Sequence, residues 1–207
     1  MRPDWSLHVL VDPATIPLAR MPAFVAEVAR GGATVLQLRG KTTPIPELVR
    51  YGEALGEEAR RHGLLYLVND RLDVALATGA DGVHVGQEDL PPAAVRRVAP
   101  GLLLGLSVGS LEELARSRTG PAPDYLGVGP VFPTGSKADA GPVIGVEGLR
   151  AIAAAWPGMP VVAIGGIQPA NVAAVWAAGV AGVAVISAVS TAADPEAACR
   201  ALLQGRP

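Results

Sequence analysis

The chain has 207 residues, half of them apolar, enough for one domain with a sizeable core and too few for two domains of ordinary size. Its 17 Lys and Arg against 19 Asp and Glu leave a formal charge of -2, with no basic run or stripe, which argues against a nucleic-acid partner. The lone Cys199 excludes an internal disulfide, the opening MRPDWSLHVLVDP lacks a signal-peptide core, and the most apolar stretches, VVAIGG and GVAVIS, fall far short of the roughly 20 residues of a membrane span. These features predict a cytoplasmic protein with no membrane partner, and leave monomer and homo-oligomer both open.

Eight short apolar runs recur in chain order: SLHVLV, ATVLQL, LLYLV, DGVHV, LLLGL, DYLGV, PVVAI and AGVAVI. Between and after them lie segments with helical spacing: FVAEVAR, IPELVRYGEALGEEARRH, VALATG, AAVRRVA, LEELARSR, VEGLRAIAAAW, NVAAVWAAG and PEAACRALLQ. Nearly continuous apolar runs suit parallel strands covered by helices on the outside, and eight strand–helix units predict a closed (β/α)8 TIM barrel occupying residues 1–207 as a single domain. The echo of GADGVHVG in GVAGVAVI, each with a glycine closing a helix before the next strand, supports one repeated unit. An open doubly wound sheet is the alternative; it would usually carry a GxGxxG turn, which is absent.

In such a barrel the chemistry gathers at the C-terminal ends of the strands. There stand Gln37, Arg39 and Lys41 after strand two, Asn69 and Asp70 after three, Gln87, Glu88 and Asp89 after four, and Ser107 after five. Thr134, Gly135, Ser136 and Lys137 follow strand six, Gly165 and Gly166 strand seven, and Ile186 and Ser187 strand eight. Asp70 and Asp89 each precede a helical segment and read individually as N-caps. Together, on neighbouring strands, they would repel unless a cation lay between them, and carboxylate oxygens suit Mg2+.

Alternate positions put Gln37, Arg39 and Lys41 on one side of an extended strand end, where an amide and two cations fit a polyanion, unless they form an exposed positive loop. Lys137 is either a solvated loop lysine or part of a flap, TGSKADAG, that closes over phosphate. Gly165 and Gly166 either turn the chain out of its strand or, with Ile186 and Ser187, form a phosphate cup of backbone N–H groups. A metal-assisted anion site near strands two to four and a metal-free one near strands seven and eight are therefore expected. His8, His62 and His84 show no ligand spacing, and His84, inside DGVHV, reads as a packed or hydrogen-bonded histidine. Cys199 and the three tryptophans read as packing residues.

Taken in order, QLRGK, VNDR, HVGQED, GLSVG, GVGPVFPTGSK, AIGGI and GVAVISA resemble the thiamine-phosphate synthase family over nearly the whole chain. The resemblance implies a (β/α)8 transferase that joins a pyrimidine diphosphate to a thiazole phosphate, or its carboxylate form, and releases pyrophosphate with Mg2+. It implies that Gln37, Leu38, Arg39, Gly40, Lys41, Asn69, Ser107 and Lys137 bind the pyrimidine diphosphate, with Lys137, Arg39 and Ser107 acting in catalysis. Asp70 and Asp89 would hold Mg2+, and Thr134, Gly135, Ser136, Gly166, Ile186 and Ser187 the thiazole phosphate. Two positions depart from the family pattern: Gly40, where glutamate is usual, and Gly109, where histidine is frequent. A thiazole tautomerase on the same barrel, or a non-catalytic phosphate-ligand binder, are the rival readings; both leave Asp70 and Asp89 idle, and Gly109 deprives the tautomerase of a proton-transfer group.

Overall fold

The computed structural model describes residues 3–135 and 141–206. Its eight strands are all parallel and close on themselves in sequence order: β1 (Leu7–Val11), β2 (Val35–Leu38), β3 (Leu65–Asn69), β4 (Gly82–Val85), β5 (Leu103–Val108), β6 (Tyr125–Val128), β7 (Val161–Ile164) and β8 (Gly182–Val185). Ladder pairing of β1 with β8, His8 opposite Ala184 and Val9 opposite Val185, completes the (β/α)8 barrel. Each expected apolar run coincides with one of these strands, although β3 and β5 run on past theirs to Asn69 and Val108.

Helices α1 (Met21–Arg30), α2 (Ile45–His62), α3 (Leu72–Thr78), α4 (Pro92–Val98), α5 (Leu111–Ser117), α6 (Gly145–Ala155) and α7 (Val172–Trp176) fill the intervals between strands. After β8 the chain makes a short helix, α8 (Ser187–Ser190), before α9 (Pro195–Leu202). The sequence reading has no counterpart of α8, because four residues are too few to display a 3.6-residue period. Of the two glycines of the internal echo, Gly79 closes α3 as its C-cap, whereas α7 is closed by Ala177 and Gly179 turns the chain two residues later; both glycines have φ values, +63° and +80°, that a residue with a Cβ adopts only under strain. No helix among the described residues is long and apolar enough to cross a membrane.

Strand alternation sorts the core into two layers. Leu36, Leu38, Tyr66, Val68, Val83, Leu104, Leu126 and Val183 face outward and pack with Val25, Leu55, Val95, Leu149 and Val175 of the helices. Leu10, Val35, Leu67, Tyr125, Val162 and Ala184 face inward and, with Trp5, fill the barrel. Polar side chains share this interior: His8, Gln37, Asn69 and His84 are all buried. Room for them is made by missing side chains, since a Cβ on Gly105 would lie 2.3 Å from both His84 Nδ1 and Tyr125 Cζ, and one on Gly127 would lie 2.7 Å from His84 Cε1. The barrel interior thus combines an apolar cluster with buried polar side chains that lie below its C-terminal mouth.

Candidate active site

A cavity of about 450 Å³ opens at the C-terminal ends of the strands. Lys41, Asn69, Asp70, Asp89 and Ser107 line one part of it, and Thr134, Gly165, Gly166, Ile186 and Ser187 another. Both groups of residues anticipated from the strand ends therefore share one space. Gln87 and Glu88 also line it, and Gln87 Nε2 donates to the Ser107 carbonyl at 2.7 Å. Gln37, Leu38, Arg39, Gly40 and Gly135 are not part of its described lining. Ser136 and Lys137, with the rest of residues 136–140 of the expected flap TGSKADAG, lie outside the described residues, whereas Thr134 and Gly141 at its two ends line the cavity.

Asp70 and Asp89 are not helix caps. The N-caps of α3 and α4 are Arg71 and Pro91, and neither makes a side-chain capping bond. Asp70 instead sits at φ 65°, where it is the one described non-glycine residue with positive φ, and its N–H donates to the His84 carbonyl at 2.7 Å, tying the ends of β3 and β4 together. Asp89 accepts from the Gly86 N–H at 2.7 Å through Oδ2, folding the loop after β4 back on itself. The two carboxyl groups are hydrogen-bonding neighbours; burial first, and then the charge of Asp89, raise the Asp70 carboxyl above its ordinary range. Lys41 Nζ stands 3.2 Å from Asp70 Oδ2 and opposes that rise. Such a pair of oxygen donors fits a hard divalent cation that takes few protein ligands, and no group of three or more His, Cys, Asp or Glu suited to a metal exists among the described residues.

The expectation that Gln37, Arg39 and Lys41 act side by side needs correction. They leave β2 on one side, as period two requires, but each meets a different neighbour. Gln37 is buried and its Nε2 donates to the Tyr125 hydroxyl at 3.3 Å. Arg39 turns toward the end of β1, with Nη1 3.3 Å from Asp12 Oδ2. Lys41, half exposed, turns toward β3. Gly40 lies under Leu48: a Cβ there would come within 2.6 Å of Leu48 Cδ1, so the glutamate usual in the family would displace a residue of the α2 core.

Below the cavity runs a hydrogen-bonded chain. Burial pushes the Tyr125 hydroxyl far above its ordinary pKa, so it keeps its proton. It accepts from Gln37 and lies 2.8 Å from His84 Nδ1. His84 Nε2 lies 2.9 Å from Ser107 Oγ, so in either tautomer the imidazole ring links the two hydroxyls by hydrogen bonds. His84 is accordingly a hydrogen-bonded histidine, as its place inside β4 suggested, but one that orients a residue of the site.

Three further residues at the site went unread. Asp12 immediately follows β1, and its position at a strand end was a sufficient signal. Tyr125 opens β6, and nothing local distinguishes its inward hydroxyl. Glu113 reaches the cavity from the first turn of α5 and accepts from the Gly109 N–H at 2.7 Å, so a carboxylate stands beside Gly109.

The family model of thiamine monophosphate synthase matches residues 7–189. The chain belongs to that family. It is 51% identical over 201 residues to the thiamine-phosphate synthase of Moorella thermoacetica, covering 97% of this chain and 95% of the relative. Identity to the thiamine-phosphate synthase of Methanocella arvoryzae is 47% over 200 residues, or 96% and 93% of the two chains. Among solved structures, thiamine phosphate pyrophosphorylase from Pyrococcus furiosus superposes with a TM-score of 0.85 at 42% identity, covering 97% of this chain and 95% of that one. The 3-hexulose-6-phosphate synthase of Salmonella typhimurium, at 20% identity and a TM-score of 0.75, shares the barrel alone. The family model thus spans all eight strands of the barrel.

Proposed function

We propose that this member of the family is a transferase joining 4-amino-5-hydroxymethyl-2-methylpyrimidine diphosphate to 4-methyl-5-(2-phosphooxyethyl)thiazole, giving thiamine phosphate and pyrophosphate. The observation that supports the reading is one cavity with two dissimilar parts to its lining. One presents a pair of carboxylates and a lysine; the other presents backbone and hydroxyl groups at Gly166, Ile186 and Ser187. A substrate with a diphosphate and a second with a monophosphate match that asymmetry.

Asp70 and Asp89 would hold Mg2+, whose charge, when it is bound, weakens the bond to the departing diphosphate. Lys41 would move from Asp70 to a diphosphate oxygen, and Arg39 would add a planar fork of donors nearby. Asn69 and Ser107 would orient the pyrimidine diphosphate, the Ser107 hydroxyl being held in place by its hydrogen bond with His84. Lys137, by its motif, would complete this cationic set. Thr134, Gly135 and Ser136 with Gly166, Ile186 and Ser187 would seat the thiazole phosphate so that the ring nitrogen faces the pyrimidine methylene carbon as the diphosphate leaves. No general base is needed, since the attacking nitrogen carries no proton.

The test is formation of thiamine phosphate and pyrophosphate from the two purified substrates. Equimolar, Mg2+-dependent appearance of both products is expected, and no conversion of the tautomeric thiazole carboxylate phosphate when it is supplied alone. Absence of thiamine phosphate, or enzyme-dependent tautomerisation in its place, would overturn the reading.

A further inference from the structure

We propose that Asp12 is a positioning residue for Arg39, setting the orientation in which its guanidinium meets the diphosphate; this rests on the assignment of Arg39 to that substrate. The carboxylate of Asp12 is itself held firmly. Asp12 starts a tight turn after β1 in which its carbonyl accepts from the N–H groups of Thr15 and Ile16, each at 2.9 Å, while Oδ1 accepts from the Ala14 N–H at 2.9 Å. The turn is anchored in turn to α2, because the Tyr51 hydroxyl donates to the Ile16 carbonyl at 2.6 Å. Oδ2 alone is left over, and it faces Arg39 Nη1 at 3.3 Å.

Arg39 is equally constrained at its backbone, where its N–H donates to the Val11 carbonyl at 2.9 Å. Its residue exposure is only 8%. Its Nε is buried with no hydrogen-bond partner among the described residues. A guanidinium is planar, so a contact at one Nη, added to a buried side chain, restricts the directions in which the remaining N–H groups point. A largely buried arginine paired with a partly exposed carboxylate, with an N–H left unmet, is a poor device for stability, because apolar residues of similar volume would serve as well or better. It is a suitable device for presenting donors to an anion. Because Arg39 is buried and is not part of the cavity's described lining, it would reach a diphosphate oxygen only in a narrow range of orientations. The partner that selects that range controls binding.

The experiment is a double-substitution cycle read in steady-state kinetics. Asp12→Asn keeps an oxygen for the Ala14 N–H and removes the charge facing Arg39. It is expected to raise KM for the pyrimidine diphosphate, and the inhibition constant of inorganic pyrophosphate, by roughly ten- to hundredfold, as for other groups that orient a ligand-binding side chain. KM for the thiazole phosphate and the unfolding midpoint should stay put. In an Arg39→Ala background the same substitution should change nothing further. Asp12→Ser, which can still accept from Ala14 but is too short to hold Arg39, supplies a second arm should the asparagine variant misfold. An unchanged pyrimidine diphosphate KM in both Asp12 variants, or effects that multiply independently with Arg39→Ala, would overturn the proposal. If Arg39→Ala by itself leaves that KM unchanged, the assignment of Arg39 to the diphosphate fails first, and the positioning role fails with it.

Discussion

At the scale of single residues, the site is governed by how few partners each polar group has. Tyr125 links Gln37 to His84, so Tyr125→Phe would strand a buried donor and a buried ring nitrogen. A loss of about 1–3 kcal/mol in denaturant unfolding is expected, with slower turnover because Ser107 loses its orientation. An unchanged unfolding free energy would mean that the chain of bonds carries no weight. Asp70 offers a cleaner separation of charge from backbone. Asparagine tolerates the left-handed conformation at φ 65°, so Asp70→Asn should leave the metal-free protein as stable as before, relieving the repulsion from Asp89. Asp70→Ala should cost roughly 1–2 kcal/mol more. Both should abolish the mutual enhancement of Mg2+ and pyrophosphate binding in calorimetric titration, since two carboxylates complete only part of an octahedral shell and the diphosphate supplies more. Coupling that survived in both variants would free Asp70 of any metal role.

At the scale of elements, β5 and β6 are shaped by what they leave out. Asn69, His84, Gly105 and Tyr125 are register partners across four successive strands, and the absent side chain at Gly105 is what allows the rings on either side to approach. Gly105→Ala is expected to destabilise by about 1–3 kcal/mol through overpacking against His84 and Tyr125, and to lower activity by moving the group that holds Ser107. The same change at Gly101, whose Cβ would meet nothing within 4 Å, serves as the control in thermal unfolding. Equal midpoints for the two would show that the barrel interior absorbs the methyl group.

For the whole molecule, the most informative titration is that of His8, buried in the barrel with Nε2 unpartnered among the described residues. Burial holds its pKa down at about 3, against 6.5 for the free side chain, with Asp4 opposing weakly. Between those values the unfolded chain binds a proton that the folded one refuses, so stability falls as pH drops from about 6.5 toward 3. The contribution reaches ~1.4 kcal/mol per pH unit. His8→Leu should flatten the stability profile across that window by this amount and leave the neutral range unaffected; parallel profiles would show that His8 takes up its proton as readily in the folded barrel.

Eight apolar runs, the helical spacing between them and the motifs at their ends were enough to specify the barrel, the family and the faces on which Lys41, Asn69, Asp70, Asp89, Ser107 and Ser187 stand. This is because a parallel strand buried on both faces leaves its signature in consecutive residues, and period two assigns each side chain to one face. Which neighbour each side chain meets was decided by the tertiary structure alone. Arg39 and Lys41 part company, one to Asp12 and the other to Asp70, because the strands on either side of β2 end in different residues at different heights. His84 comes under Ser107, and Asp70 takes a conformation that rules out capping, for the same reason: register and stagger between strands far apart in sequence set these contacts, and no local pattern encodes them.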